Sequence, residues 1–421
     1  MTKQDITKTL FIMIFLAIAS IGMFTFPTLG PLLAEINHWD PTKIAWFITA
    51  FYIGATSCSM LAGYWVDRFG VKLCIIVGGA MMAVTLLLAT LPTGFSVKLV
   101  FLAVTGVGYT LINPSINKVV VTDFSNKIRG TVMSLKQTGL SLGGMLAAGI
   151  LPTIAVYWGW TAAVYFSVFL LFSISVYILL KKSMADHTND EQDHLEIPPV
   201  QKLVSNDTYH EIYKNKNVQL ISISGLIMAS AQWIIITFLV LYLQSEMNFN
   251  YIVASFYLAI LQCSGLLGRI FWGWSCDYLF TNRKRVFRNL LFLSSLLILL
   301  FVGLCSVLKE LDNIFLVKLI LGLMVFLMGF VTNGWNGVFM VVMVDEVPVQ
   351  LAGKVTGYSM MFVYLGIILG PLLFSLLILN IPYTIGWMIV SVQFLLSACI
   401  FHLVGGKPTS CNQANQDSLN I

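Results

Sequence analysis

The stretch GYWVDRFGVK, residues 63 to 72, follows a long apolar segment and places Asp67 and Arg68 where that segment ends. A shorter copy, GWSCD, residues 273 to 277, follows another apolar segment 210 positions later. In both copies a glycine precedes an aspartate by four residues, and basic residues come next. Because this recurrence spans about half of the chain, it predicts two related halves.

The composition predicts that both halves lie in a membrane. Of the 421 residues, 58% are hydrophobic and 10% are charged, whereas soluble domains carry about 25% charged residues. About 20 apolar residues suffice for a helix to cross the hydrocarbon core, and apolar segments of this length recur along the chain. They indicate an all-α integral membrane protein.

We predict twelve transmembrane helices, called spans 1 to 12. Span 1 is an apolar run too long for a signal peptide, and no cleavage site of the A-x-A type follows it. The twelve spans cover roughly residues 10–34, 44–65, 73–92, 98–122, 130–154, 160–181, 218–243, 251–275, 287–308, 314–343, 352–379 and 384–404.

A polar interval divides these spans into six and six. Residues 183–217 form the only long polar segment between spans, and their mixed charges are typical of a solvated linker. The predicted organisation is an N-terminal six-helix bundle at residues 1–182, a cytoplasmic linker at 183–217, a C-terminal six-helix bundle at 218–404 and a cytoplasmic tail at 405–421.

Glycine spacing gives a second sign of the repeat. In span 5 and again in span 11, three glycines are separated by nine and then four positions. Two halves related by a parallel repeat place a binding site at their interface, near the middle of the membrane. The glycines of the two copies are Gly130, Gly139 and Gly143, then Gly357, Gly366 and Gly370.

Basic residues predict the orientation. Eighteen of the 24 lysines and arginines fall on the side of the membrane that carries the N-terminus. Because cytoplasmic loops retain basic residues, both termini are predicted to be cytoplasmic in a multi-pass protein of the cytoplasmic (inner) membrane. The basic residues are scattered among loops rather than gathered in one stripe, so they predict contact with the lipid bilayer and no binding of nucleic acid.

The stretch from Gly63 to Lys72 resembles the loop signature of the major facilitator superfamily, G-x-x-x-D-R-x-G-[RK]-[RK], at its expected place between spans 2 and 3. Val71 departs from it, because the family usually has a basic residue there. The resemblance implies two pseudo-symmetric six-helix bundles that expose one central cavity alternately to the two sides. It also implies a monomer and a transporter rather than an enzyme.

The same resemblance implies gating contacts at the cytoplasmic ends of the spans. A carboxylate at such an end can meet the positive N-terminus of another helix; in the family the partner of Asp67 is span 11. We further expect Arg68 and Lys72 to pair with Asp123, and residues 283–285 to pair with Asp345 or Glu346. The alternative is that these charges have no gating role and only anchor loops at lipid headgroups. The candidate gating residues are Gly63, Asp67, Arg68, Gly70, Lys72, Asp123, Gly273, Asp277 and Asp345.

Two basic residues lie well inside predicted spans. Lys136, in the stretch KQTGLSLGG at 136–144, and Arg269 in span 8 each lie roughly 10 to 12 Å from the cytoplasmic end of their helix. An embedded base is costly unless it is paired or hydrated, and the spans contain almost no acid. We therefore predict that a small-molecule anionic substrate, such as a carboxylate, supplies the missing charge. The alternatives are snorkelling for Lys136 and a clamp to helix-end carbonyls or Asp277 for Arg269.

Two weaker resemblances concern the same bases. The stretch GRIFWGWSCD, residues 268–277, is similar to span 8 of the oxalate/formate antiporter and monocarboxylate porter families, which implies a substrate-binding role for Arg269. The stretch around Lys136 resembles span 5 of cyanate-permease-like facilitators. Neither resemblance selects a substrate.

Other polar and aromatic residues are predicted to complete the cavity, although each is more often a helix-packing contact than a ligand contact. The amide-bearing candidates neighbour the two bases or lie in spans 4 and 10, and the aromatic candidates would form walls. They are Asn113, Asn117, Gln137, Gln262, Asn333, Asn336, Tyr109, Trp233, Trp335 and Tyr358.

Several other classes of function are disfavoured. Ser141 sits in a G-x-S-x-G pattern, but a nucleophile elbow needs a strand-to-helix turn and a histidine-acid pair. No phosphate-binding loop of the form G-x-x-x-x-G-K-[ST] occurs, and the seven cysteines show no metal-ligand spacing. We expect no cofactor, no metal and no enzymatic activity. The alternative within the same fold is efflux of amphiphilic or drug-like compounds; substrate identity, direction and coupling stay open.

Overall fold

A computed structural model describes residues 3–124, 126–180, 214–280, 282–311, 313–347 and 352–404. Most of the predicted linker and the tail at 405–421 lie outside the described residues, as do the side chains of Asp67 and Asp277. The described part is helical throughout and contains no strand.

Thirteen helices follow one another in the described residues. They begin and end close to the predicted spans, with one exception that is discussed below. Their bounds are α1 Lys3–Asn37, α2 Pro41–Phe69, α3 Val71–Leu88, α4 Phe95–Asp123, α5 Asn126–Trp158, α6 Trp160–Leu180, α7 Lys216–Met247, α8 Tyr251–Tyr278, α9 Arg283–Leu308, α10 Ile314–Thr332, α11 Trp335–Val344, α12 Ala352–Leu377 and α13 Tyr383–His402.

Eleven segments of the described residues are long and apolar enough to cross a membrane, with α10 and α11 counted as one. The helix outside this set, α2, has 29 residues and packs against α4 and α12. We call the side on which α1 begins the linker side, because α6 ends and α7 begins there too. The other side is called the far side.

Asparagines start four consecutive helices of the second half. The side-chain oxygens of Asn215, Asn250, Asn282 and Asn313 accept hydrogen bonds from backbone N–H groups in the first turns of α7, α8, α9 and α10. The first N–H groups of a helix have no partner within the helix, and a short polar side chain before it satisfies them. The sequence thus sets these starts locally.

The two halves use the same helix pairing. In the first half α1 packs on α5, α2 on α4, and α3 on α6. In the second half α7 packs on α12, α8 on α10, and α9 on α13. These are the same pairs when the spans of each half are counted from one to six, so the predicted architecture of two pseudo-symmetric six-helix bundles is confirmed.

Two of the repeated glycines mark points at which helices touch. A Cβ atom on Gly143 would lie 2.3 Å from the carbonyl oxygen of Ala17 on α1. A Cβ atom on Gly366 would lie 2.1 Å from the carbonyl oxygen of Leu226 on α7. Since real Cβ atoms do not come this close to backbone, glycine is required where α5 and α12 meet the first helix of their own half.

The predicted span 10 at 314–343 is confirmed as one membrane-spanning segment, Ile314–Val344, but two helices form it. The helix breaks between α10 and α11 at Asn333 and Gly334. A Cβ atom on Gly334 would lie 2.6 Å from the carbonyl oxygen of Phe330, so no larger residue fits there. Trp272 of α8 donates its indole N–H to that same carbonyl at 3.2 Å. Irregular backbone at membrane depth is tolerated where protein groups satisfy it.

The close glycine contact predicts a position-specific effect of alanine. We expect Gly366→Ala to destabilise the protein by about 1–3 kcal/mol, because the added methyl group must displace the backbone of α7. Gly357→Ala is the matched control, since Gly357 lies on the same helix and nothing lies within 4 Å of its Cβ position. Thermal unfolding of the purified variants measures the difference, and equal melting temperatures would contradict this account of the crossing.

Candidate functional site

Lys136 is buried in the first half, between α5 and α4. Its side chain is 1% exposed, and its ammonium group donates to the side-chain oxygen of Asn113 at 2.5 Å and to that of Asn117. The two asparagines lie one turn apart on α4, roughly 9 to 15 Å from its linker-side end. The side chain therefore turns towards α4 at its own depth instead of extending to the membrane surface.

No carboxylate neutralises Lys136 among the described residues. The ion pairs formed by those residues involve other bases. Amide oxygens stabilise an ammonium group by hydrogen bonding, but they carry no net charge. The buried positive charge thus stays uncompensated by the described protein groups.

Arg269 is half-buried on α8, at the contact with α5. Its Nε atom donates to the backbone carbonyl of Asn333 at 3.1 Å, and its Nη1 atom makes a long contact of 3.4 Å with the carbonyl oxygen of Gln137. The first contact is the clamp to a broken helix end that the sequence left open as an alternative. The remaining guanidinium N–H groups have no acceptor among the described residues.

The two bases lie on α5 and α8, which pack on each other across the interface between the halves. Arg269 reaches the carbonyl of the residue next to Lys136, although they are 133 positions apart in the sequence. Within the described part of the chain, neither base forms an ion pair. An excess of positive charge at one level of a bundle that is otherwise apolar is an attractive site for an anion.

Aromatic side chains from both halves lie at the same interface. Trp233 of α7 stacks on Phe24 of α1 with centroids 5.7 Å apart and meets the ring of Tyr52 at 5.3 Å. Tyr52 also meets Tyr364 of α12 at 5.9 Å. The predicted wall residue Trp233 therefore lies between the halves. Tyr52 and Tyr364 were missed, because a lone tyrosine in an apolar span has no sequence signal that tells lining from packing.

Tyr109 lies on α4 behind this layer, with its ring 5.6 Å from Phe51. Tyr358 lies on α12 and packs edge-on against Phe362 at 5.1 Å. Tyr109 is close enough to Arg269 to interact with it electrostatically. Of these two predicted wall residues, the structure thus brings Tyr109 near a base.

A chain of amide groups runs through the second half towards the interface. Trp335 donates its indole N–H to Gln232 at 3.0 Å, Gln232 donates to Asn333 at 2.8 Å, and Asn333 donates to Gln262 at 3.2 Å. Trp335 is buried inside the second bundle, so it forms no cavity wall there. Gln232 links these residues. The sequence pattern did not indicate it, since it pointed only to the neighbouring Trp233.

The last predicted amide residues lie at the edge of this chain. Asn336 donates to the backbone carbonyl of Asn333 at 3.4 Å, beside the contact that Arg269 makes with the same oxygen. Gln137 contributes its backbone carbonyl to Arg269, whereas its side chain is exposed. Both residues are therefore close to Arg269, as expected for members of one site.

The ion pairs predicted for gating are found in the second half, whereas Asp123 of the first half has a different partner. In the second half Arg283 pairs with Asp345 at 3.3 Å and Lys284 pairs with Glu346, as expected. In the first half Asp123 pairs with Lys8 at 3.2 Å rather than with Arg68. The N-terminal turn of α1 lies beside the end of α4 and supplies this base, which loop spacing alone did not indicate.

Residues of the signature itself lie at the linker-side ends of the helices. Arg68 donates to the hydroxyl of Tyr64 at 3.0 Å. Gly70 separates α2 from α3 with φ +83°, a conformation that favours glycine, and Lys72 follows in the first turn of α3. Gly273 lies in α8 with open space around it. Gly63 belongs to α2, but its surroundings lie outside the described residues, as does the side chain of Asp277.

The halves are joined on the far side of the two bases. Tyr251 at the start of α8 donates its hydroxyl to the carbonyl of Thr28 on α1 at 2.6 Å, and Thr49 on α2 donates to the carbonyl of Ile368 on α12 at 3.1 Å. The aromatic layer and the α5–α8 contact continue this seam to the level of Arg269.

The Tyr251 contact predicts a conformational effect of a single hydroxyl. We expect Tyr251→Phe to shift the population about two- to tenfold towards separation of the halves on the far side, since one hydrogen bond contributes about 0.5–1.5 kcal/mol. The measurement is the labelling rate of an Ala259→Cys reporter by a maleimide, in a background without the seven native cysteines. Ala259 is buried against Gly149 of α5.

Tyr257→Phe is the matched control for that experiment. Tyr257 lies on the same helix and donates to the carbonyl of Lys318 at 2.9 Å, but that bond stays within the second half. Its loss removes an equivalent hydrogen bond without crossing the interface. Equal labelling of the two variants would show that the Tyr251 bond does not hold the halves together.

Comparisons with known proteins agree with this architecture. The family profile described as Major Facilitator Superfamily matches residues 10–371. The crystal structure of a bacterial homolog to the human lysosomal transporter Spinster, in an inward-facing and occupied conformation, has a TM-score of 0.73 to this chain. The identity is 11%, and the match covers 96% of this chain and 97% of that one, so the likeness shows the fold.

Two curated relatives match a shorter part. Multidrug resistance protein 1 of Bacillus subtilis (strain 168) is 27% identical over 153 residues, 36% of this chain and 38% of that protein. The hexuronate transporter of the same strain is 27% identical over 131 residues, 31% of each chain. The matched region thus spans about a third of the length of these relatives. Because the family profile covers most of the sequence, the chain belongs to the Major Facilitator Superfamily and is a multi-pass membrane transporter.

Proposed function

We propose that this transporter carries a small organic anion, with a carboxylate as the recognised group, by alternating access. The observation that carries the proposal is the placement of Lys136 and Arg269 on the facing helices α5 and α8 of the two halves, where no described carboxylate neutralises either base. Embedded bases are costly unless they are paired or hydrated. A bound anion offsets that cost for both at once.

The two bases suit different aspects of carboxylate recognition. The guanidinium of Arg269 is planar and can donate two parallel hydrogen bonds to a carboxylate, and its Nε contact with Asn333 holds the plane of the group. The ammonium of Lys136 is a compact charge with three donors, of which Asn113 and Asn117 take two. A donor is thus left for a ligand at each base.

The location of the bases supports coupling between binding and movement. Lys136 belongs to the first half and Arg269 to the second, so an anion between them attracts both halves to one point. The far side is joined by Tyr251 and Thr49 in this structure. A ligand that stabilises the closed arrangement of both halves changes the relative populations of the two open states.

The remaining parts of the proposal concern the membrane. The excess of basic residues on the linker side supports a cytoplasmic location of both termini, the linker and the tail. In that orientation the contacts of Tyr251 and Thr49 join the halves towards the outside. We assign the protein to the cytoplasmic membrane as a monomer, in contact with lipid and without a nucleic-acid partner.

Efflux of amphiphilic compounds is the second candidate function. Its support is the aromatic layer around Trp233 and Tyr52, which offers stacking surface to a flat apolar compound. The two relatives support different substrates, since one is a multidrug resistance protein and the other a hexuronate transporter. A hexuronate bears a carboxylate, and the uncompensated bases favour the anion.

Binding of acids by the purified protein tests the proposal. We expect at least one acid from a panel of mono-, di- and tricarboxylates to raise the melting temperature of the parent. Arg269→Gln and Lys136→Gln should each weaken its apparent affinity about 10- to 100-fold, because a hydrogen bond to a charged group contributes about 1.5–3 kcal/mol. Uptake of the labelled acid into proteoliposomes should fall in parallel.

Controls that remove the same charge elsewhere make this test specific. Arg288→Gln and Lys318→Gln remove bases from α9 and α10; Arg288 contacts His402 on the surface, and Lys318 is exposed. Both should bind the acid like the parent. If neutral amphiphiles alone stabilise the protein, and the Lys136 and Arg269 variants keep that response, the anion proposal fails and efflux replaces it.

A further inference from the structure

The amides near Arg269 are held in one orientation by a group that can only donate. The indole of Trp335 has an N–H group and no acceptor, so the atom of Gln232 that receives it at 3.0 Å must be the side-chain oxygen. The NH₂ group of Gln232 then faces Asn333, and that of Asn333 faces Gln262. Each hydrogen bond fixes the orientation of the next amide group. The donor-to-acceptor direction of the whole series of amides therefore follows from Trp335.

The far end of this chain is an NH₂ group at the interface of the halves. Gln262 accepts from Asn333 with its oxygen, and its Nε2 atom lies 2.5 Å from the Cβ position of Gly144 on α5. The side chain is 4% exposed, and the hydrogen bond found for it is the one that its oxygen accepts from Asn333. A buried NH₂ group without an acceptor is costly, so a ligand oxygen that accepts from it stabilises the site.

The first half orients its amides in the same way. The ammonium of Lys136 also only donates, so it draws the oxygen atoms of Asn113 and Asn117 towards itself. Their NH₂ groups are turned away from Lys136, and Asn117 is exposed while Asn113 is partly buried. Both halves therefore bind their amide oxygens internally and leave the NH₂ groups for a ligand.

Arg269 completes the set. It lies two turns from Gln262 on the same helix, about 10 Å along the axis, and α5 faces both residues through Gln137 and Gly144. A guanidinium likewise has only donors. The free groups of the site include an ammonium, a guanidinium and amide NH₂ groups, whereas the side-chain oxygens of Gln137 and Asn336 lie near Arg269, about two turns from Gln262.

We infer that the site selects a carboxylate that bears a second acceptor oxygen, such as an oxo acid, and rejects acids whose second group is a donor. The inference rests on the proposed anion transport and adds which anions are preferred. Arg269 and Lys136 hold the carboxylate, and Gln262 donates to the second oxygen. Trp335 and Gln232 are positioning residues, because they act on the ligand only through the orientation of Gln262.

A site of this polarity discriminates strongly against the wrong group. A ligand amine would place N–H groups against Gln262 and leave donors facing donors, whereas an oxo group satisfies the amide. Discrimination of this kind is larger than that produced by size alone, since buried polar groups of the site would be left unpaired. The preference for an oxo group over an amine can therefore be measured in a series of acids of equal length.

The experiment measures the affinities of three acids for the parent and three variants by isothermal titration. The oxo acid is 4-oxopentanoate, whose two oxygen-bearing groups are far enough apart to reach both Arg269 and Gln262. The unsubstituted acid is pentanoate, and the amino acid is 4-aminobutyrate. We expect an oxo acid to bind about 3- to 10-fold more tightly than its unsubstituted counterpart, and the amino acid to bind most weakly.

The variants distinguish an effect of the orientation of the Gln262 amide from an effect of side-chain packing. Gln262→Glu keeps the shape but replaces the NH₂ donor by an acceptor, so the preference for the oxo acid should be lost or reversed. Trp335→Phe removes the donor that orients the chain, and the preference should fall to less than about twofold. Trp387→Phe is the control, because Trp387 is also fully buried in the second half and its indole N–H has no partner in the described structure.

The outcomes distinguish this inference from the function on which it rests. If acids bind and Arg269→Gln abolishes binding, but neither Gln262→Glu nor Trp335→Phe changes the preference, the orientation inference is wrong and anion transport stands. The same conclusion follows if the control Trp387→Phe changes the preference as much as Trp335→Phe does. If no acid binds to the parent, both fall. Should Trp335→Phe fail to fold, Gln262→Glu alone decides, since it preserves the size of the side chain.

Discussion

The hydrocarbon interior of a bilayer supplies no hydrogen-bond partner, so the protein must satisfy every backbone N–H and C=O group that lies there. Long helices meet this requirement within themselves, which explains why the described chain is helical throughout. The break between α10 and α11 is the exception, and side chains from α8 cover it. Trp272 and Arg269 donate to carbonyls that the broken helix leaves free. A base with a structural task is thereby placed at the interface of the halves.

The same requirement shapes the polar part of the site. Buried donors and acceptors find partners in short chains, such as that from Trp335 to Gln262 and that from Lys136 to the asparagines of α4. Because each chain starts at a group that only donates, both use up their oxygen atoms within the protein. The positive charge of the site and its hydrogen-bond donors then favour the same ligand, because an anion also supplies hydrogen-bond acceptors.

Repetition of one helix pairing in both halves gives the interface its position. Close glycine contacts join helices within each bundle, and the bundles pack on each other through α5 with α8 and α2 with α12. Hydrogen bonds and stacked rings join the halves on the far side. Such a molecule can rock about its centre while each bundle stays intact.

The sequence by itself determined the membrane-spanning character, the two halves, the glycine contacts and the presence of two embedded bases without acids. These features depend on local hydropathy and spacing, which a single helix expresses wherever it packs. Lys8 as the partner of Asp123, the break at Asn333 and the role of Gln232 were decided only by the tertiary structure. Each depends on how helices distant in sequence rotate and cross, because a side chain on a helix can face any of several neighbours and only packing selects one.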